Sequence, residues 1–167
     1  QILDNRINEL QTLERDLSSL KKVCTPFPRI SYTDCIELLQ KGNFDIKWGD
    51  DFGSPEETYI SDQYDKPVIV YGFPSEIKAF YMKRDPDNDK IVLGMDILAP
   101  EGYGEIVGGS EREIDINTLL NRIKEEDLDQ SDYEWFLDLR RYGSVPHAGF
   151  GMGLERVVAW ICGLSHI

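Results

Sequence analysis

Histidine and cysteine are scarce here: two and three residues in a chain of 167. Cys24, Cys35 and Cys162 lie far apart, no C-x-x-C pair exists, and the histidines do not cluster with them. That pattern argues against a zinc site and against a disulfide framework, and predicts reduced, structural thiols in a cytoplasmic protein. Positive charge is also short. Eighteen Lys and Arg face 31 Asp and Glu, for a net charge of −13. A stand-alone DNA- or RNA-binding module is usually basic, so that class is disfavoured; a small anion held by a few placed arginines is not. No apolar run approaches the ~20 residues that span a bilayer, and the charged, amphipathic opening does not read as a signal peptide. There is no G-x-G-x-x-G, no Walker lysine, no internal repeat and no low-complexity tract.

What is present describes a globular domain. Hydrophobic residues make up 41% and aromatics 11% of the chain, enough for a real core. Leu3, Leu10 and Leu17 recur seven apart, with Leu13 and Leu20 between them, which predicts one amphipathic helix. A core-facing stripe accounts for it; a coiled-coil seam is the sharper alternative, at about three heptads. "CTPFPRI" is a proline-punctuated connector. "SYTDCIELLQKG" reads as a helix with a capping box from Ser31 to Asp34 and a stop at Gly42. Pro55 marks a third helix start. The period then changes. "KPVIVYGFP", "EIKAFYMKR", "KIVLGMDILAP" and "GEIVGGSERE" read as strands, with "DPDND" as a hairpin turn. "INTLLNRIKEED" reads as a helix, as does "SDYEWFLDLRRYG", with Ser131 and Glu134 as its cap. "VPHAGFGMG" is a strand and turn leading into the helix "LERVVAWICG". Strands in succession, with helices grouped before and after, predict an α+β domain with an antiparallel sheet flanked by helices. A parallel dinucleotide-binding fold would alternate strand and helix instead.

Three stretches carry chemistry. In "PHAGFGMGLERVVAWI", Gly149, Gly151 and Gly153 are spaced two apart, so one strand face is stripped of side chains and open to a backbone or a flat ligand. Tight helix-on-sheet packing explains the glycines equally well until Arg156 is considered. A cation in the first turn of a helix opposes the helix dipole, and an anion bound there resolves the conflict. In "MDILAPEGYGEIVGGSERE", Asp96 and Glu105 are expected to end one strand and begin the next, projecting at one end of the sheet. Paired carboxylates with phosphate oxygens are how Mg²⁺ is usually held, because that ion keeps waters and takes few protein ligands; ordinary surface charge is the plainer explanation. Arg112 shares a strand face with Ser110 and can clamp a carboxylate or carbonyl. In "EIKAFYMKR" the alternation fits a half-exposed strand, with Lys78 able to reach a ligand if this face floors a pocket.

Together "GEIVGGSERE", "RRYGSVPHAGFGMGLERVVAWICG" and "PSEIKAFYM" resemble the catalytic domain of the asparaginyl-tRNA synthetases, within the class II aminoacyl-tRNA synthetases. The glycine-rich stretch ending in Gly-Leu-Glu-Arg resembles class II motif 3. The three stretches together point to the aspartyl, asparaginyl and lysyl subgroup, and "EIKAFYM" with "GGSERE" favours the asparaginyl branch. The likeness runs from about Arg29 to Ile167. Residues 1–28 are then an N-terminal helix and connector of the same domain, and 29–167 the C-terminal part of a class II catalytic core.

The resemblance implies a ligase that activates asparagine with ATP and passes it to tRNA(Asn). It implies bent ATP on the sheet with Mg²⁺ on Glu105 and Asp96. Arg156 would contact the γ-phosphate, and Gly149, Gly151 and Gly153 would let adenosine lie close to the backbone. Arg112 would hold the side-chain end of the amino acid, with Ser110 and His147 lining the pocket. It also implies a homodimeric parent, with no membrane and no DNA as partner. Motifs 1 and 2 and the anticodon-binding barrel do not occur within these residues, so the chain is expected to be a fragment that does not aminoacylate alone. Three further readings stand beside this one: an aspartyl-tRNA synthetase, a paralogue making asparagine from aspartate, and a non-catalytic module derived from a synthetase.

Overall fold

The computed structural model describes residues 1–166. Its centre is a five-stranded sheet in the order β1-β2-β5-β6-β7, built from β1 (Arg29–Ser31), β2 (Val68–Tyr71), β5 (Gly94–Ala99), β6 (Gly104–Glu111) and β7 (Ala148–Met152). β1 runs parallel to β2, and every other pairing is antiparallel. A separate hairpin, β3 (Arg84–Asp85) and β4 (Asn88–Val92), turns where "DPDND" was expected to turn.

Helices cover both faces. On one side α4 (Tyr32–Lys41) and α5 (Ser54–Ser61) bury Tyr32, Leu39 and Ile60 against Val68, Val70 and Leu98. The capping interaction of α4 is the predicted one, with Ser31 Oγ accepting from the Asp34 N–H. Gly42 ends this helix where Tyr59 packs so close that a β-carbon would sit 2.6 Å from its ring. On the other side α8 (Leu154–Cys162) lays Trp160 against Ile106 and Ala99. Gly163, at φ +71°, closes α8 in the left-handed conformation. A third cluster joins α6 (Ile116–Glu125) and α7 (Glu134–Arg141) through Leu119, Ile123 and Leu137 around Phe80.

Three local expectations are corrected. The N-terminal leucine stripe is not one helix but three short ones: α1 (Ile2–Asn5), α2 (Ile7–Thr12) and α3 (Leu17–Lys21). Glu14 takes φ 55°, and Asp16 restarts the helix by accepting from Ser18 N–H, so Leu13 faces solvent and no seam forms. Arg15 anchors the break, pairing with Glu101 at 2.8 Å and donating to the carbonyls of Trp160 and Ile161 at the end of α8. "EIKAFYMKR" is not a strand. Ser75–Ile77 forms a 3-10 turn, Met82 then makes an isolated bridge to Arg112, and only the last residue, Arg84, enters a strand, β3, opposite Val92. Its carbonyls are met by side chains and single loop contacts, and Phe80 buries into the third cluster. Finally, Asp129 and not Ser131 caps the segment before α7, which opens as a 3-10 turn over Gln130–Tyr133.

Candidate active site

The register of β5, β6 and β7 places Asp96 opposite Gly108 and Gly108 opposite Gly151. The next rung on that face reads Gly94, Ser110, Gly149. Side chains alternate along a strand, so four glycines on adjacent strands form a platform on one face and add no side chain to it; neighbouring side chains reach over Gly94, Gly108 and Gly149, while Gly151 stays open. The cleft above this platform encloses about 550 Å³ and is walled by Lys78, Tyr81, Asp96, Glu105, Arg112 and Arg156. A slightly larger hollow, about 610 Å³, opens beside β1 and the hairpin around Trp48 and Tyr71. It touches Gly94 at the platform's edge, but a single carboxylate, Asp85, lines it among the described residues.

Asp96 stands mid-strand in β5, not at its end as expected. It still meets Glu105, because a register shift between Ile97 and Leu98 brings the start of β6 round to the same corner. A β-carbon on Gly108 would lie 2.4 Å from Glu105 Oε1 and 3.2 Å from Asp96 Oδ1. Both carboxylates therefore converge over that glycine. Lys78 Nζ donates to Asp96 Oδ2 at 2.7 Å and lies 3.9 Å from the centre of the Phe73 ring.

A third carboxylate completes the corner. Glu57 of α5 accepts from the Glu105 N–H at 3.0 Å. Burial is the main cause pushing Glu57, Asp96 and Glu105 above the ordinary carboxylate range. Asp96 raises both glutamates further, Lys78 pulls Asp96 and Glu105 down, and Arg156 pulls Glu57 and Glu105 down. No group of three or more His, Cys, Asp or Glu is arranged to hold a metal among the described residues. Asp96 and Glu105 nevertheless form a hard, all-oxygen donor pair in a crowded anionic corner, which suits an ion that keeps waters and phosphate oxygens as its other ligands.

Arg156 lies in the first turn of α8, and its guanidinium donates to the main-chain carbonyl of Glu105. Gly153 caps the helix, and its N–H donates to Ile106 at 3.0 Å, which fixes the helix start at the cleft. Arg112 donates to Ser110 Oγ at 2.7 Å, stacks 4.7 Å over Tyr81, and lies across Gly149, where a β-carbon would be 3.0 Å from Nη2. Buried Arg140 of α7 holds the next carbonyl, that of Glu113, with two hydrogen bonds.

Two residues expected to line the pocket stand back from it. Ser110 is buried beneath Arg112 and supports that guanidinium. His147 lies just before β7 with its ring exposed, Nδ1 2.8 Å from the Val145 carbonyl; only its own carbonyl serves the site, accepting from Arg112 N–H. Glu57 was not singled out from the sequence, since an acid near a helix start reads as ordinary capping charge. Tyr81 lay in a stretch expected to be a strand, and the pattern gave no sign of its stacking.

The family model for class II tRNA synthetases (D, K and N) matches residues 1–167. The chain belongs to this family. Among relatives of this class II synthetase chain, the asparagine–tRNA ligase of Pyrococcus horikoshii is 56% identical over 165 residues, 99% of this chain and 38% of its own length. That of Koribacter versatilis is 52% identical, over 99% of this chain and 39% of its own length. The class II synthetase chain thus spans about two fifths of the curated relatives it matches. The crystal structure of the Pyrococcus horikoshii asparaginyl-tRNA synthetase complexed with asparaginyl-adenylate superposes with a TM-score of 0.94 at 55% identity, covering 98% of this chain and 38% of that one. An aspartyl-tRNA synthetase from Entamoeba histolytica reaches 0.88 at 28% identity, covering 99% and 35%.

Proposed function

We propose that the protein carrying this chain is an asparagine–tRNA ligase, and that the glycine-floored cleft activates asparagine with ATP. The observation that carries this reading is the convergence, on one sheet face, of a glycine platform, two arginines and a carboxylate corner, in a chain 55–56% identical to enzymes of that name. In the proposed first step an asparagine carboxylate oxygen bonds to the α-phosphorus of ATP. The bond from that phosphorus to the bridging oxygen breaks, and pyrophosphate leaves with the electron pair. In the second, a terminal ribose hydroxyl of tRNA(Asn) attacks the acyl carbon and releases AMP.

The residues divide this work by position and charge, with no side-chain nucleophile required. Adenosine lies on Gly149, Gly151 and Gly153. Arg156, at the positive end of α8, takes the γ-phosphate. Arg112, stiffened by Ser110 and Tyr81, presents its fork to the carboxamide oxygen of asparagine. Lys78 donates to Asp96 and opposes the upward push of burial on that carboxyl. Asp96 and Glu105 would hold Mg²⁺, which supplies charge neutralisation for the triphosphate when bound. We place the reaction in the cytoplasm and the complete enzyme as a homodimer.

A non-hydrolysable asparaginyl-adenylate analogue tests the reading on a full-length protein carrying this chain. It should raise the melting temperature at micromolar concentration, while the aspartyl analogue does not. Equal stabilisation by both, or by neither, contradicts the asparagine assignment.

A further inference from the structure

Arg122 sits on the inner face of α6 and is only 4% exposed. A guanidinium buried this deeply needs partners. Its Nη2 donates to the carbonyl of Ser75 at 3.1 Å, to that of Lys78 at 3.4 Å and to Glu126 Oε1 at 2.9 Å. Nε lies 3.6 Å from Glu125 Oε2, and Nη1 is buried without a hydrogen-bond partner among the described residues. The two carbonyls bracket the 3-10 turn at Ser75–Ile77, where the chain has left the sheet. At the end of that turn Lys78 reaches across to Asp96. Arg122 does not itself line the cleft. Its hold on the cleft runs through the main chain that carries Lys78.

A core position on an amphipathic helix is served at least as well by Leu or Met, which need no buried hydrogen bonds. Arg122 has a planar fork that reaches two carbonyls and a carboxylate together, which the single ammonium of Lys cannot match. We infer that Arg122 is a positioning residue for the activation reaction: it locks the Ser75–Lys78 main chain to α6 so that Lys78 is delivered to Asp96. The inference rests on the asparagine-activating reading above.

The test uses a full-length protein carrying this chain. R122M keeps the apolar stem and R122K keeps the charge; each is made with Lys78 intact and in a K78M background. Asparagine-dependent ATP–pyrophosphate exchange is measured well below the unfolding midpoint of every variant. R122M should lower kcat/KM for asparagine about 10- to 100-fold, the scale of a small misplacement at a reacting centre. R122K should recover part of that loss. In the K78M background R122M should add less than about twofold, because both substitutions break one link. Unchanged kinetics with a lowered melting temperature, or losses that multiply, would overturn the inference and leave Arg122 a purely structural residue. Should R122M fail to fold, R122K decides: its loss must vanish in the K78M background, and a persisting loss or none contradicts the link. If the unsubstituted protein exchanges with neither asparagine nor aspartate, the proposed reaction falls first and the inference with it.

Discussion

At the scale of single residues, two glycines of the platform differ in what surrounds them. A β-carbon at Gly151 meets nothing within 4 Å, whereas one at Gly108 drives into the oxygens of Glu105 and Asp96. Gly151→Ala should therefore leave the melting temperature nearly unchanged and raise KM for ATP about tenfold, or ~1.4 kcal/mol of binding. An unaltered KM would remove the platform from the ATP site. Gly108→Ala should displace both carboxylates and lower exchange about 100-fold; retention of full activity would show that the corner tolerates movement. The thiols offer a separate check on burial. Cys35 is fully buried, and burial pushes its pKa up to about 12. Its contribution to stability is fully present below the unfolded-state value, ~8.5, and is lost as pH rises through the folded value. At pH 8 iodoacetamide should label exposed Cys24 and spare Cys35 in the native protein, read by peptide mass. Comparable labelling of both contradicts the packing of α4.

At the scale of elements, α6 links stability to the cleft. Asp115 caps it by accepting from Thr118 N–H at 2.7 Å and from Thr118 Oγ1 at 2.9 Å. Asp115→Ala should lower the free energy of unfolding by about 1 kcal/mol in a urea titration; no change would mean that the cap is idle. Elements with strong local signals were legible in the sequence. β5, β6 and β7 announce themselves by branched residues and by glycines two apart, and α4 and α8 by their caps. Segments shaped from outside were not. The leucine stripe cannot reveal that Glu14 turns the chain or that Arg15 is claimed by Glu101 and α8. "EIKAFYMKR" alternates as a strand does, yet its carbonyls are taken by Arg122 and Glu113 N–H. The site shows the same division. The residues on one strand, Ser110 with Arg112 and Gly149 with Gly151, come together as period two requires. Asp96 reaches Glu105 only through a register shift that the sequence does not display. Glu57 arrives from α5, 48 residues before Glu105, by tertiary packing alone.

At the scale of the whole molecule, the sheet separates two tasks. One face is packed by α8 and the N-terminal helices; the other is packed by α4 and α5 at the β2 end and left bare from β5 to β7. The bare region is where carboxylates, arginines and backbone meet, which suits the nucleotide and amino acid of the proposed reaction. The excess of acid over base across the chain does not oppose this, since half-buried Arg112 and exposed Arg156 place positive charge at the cleft itself. The measurement that bears most directly on this account is ATP–pyrophosphate exchange by a full-length protein carrying this chain. Asparagine and aspartate are compared side by side, with and without Arg156→Ala. The account predicts exchange with asparagine, at most a trace with aspartate, and a loss of at least about 100-fold in the variant. Exchange with aspartate in place of asparagine, or full activity without the Arg156 guanidinium, would contradict it.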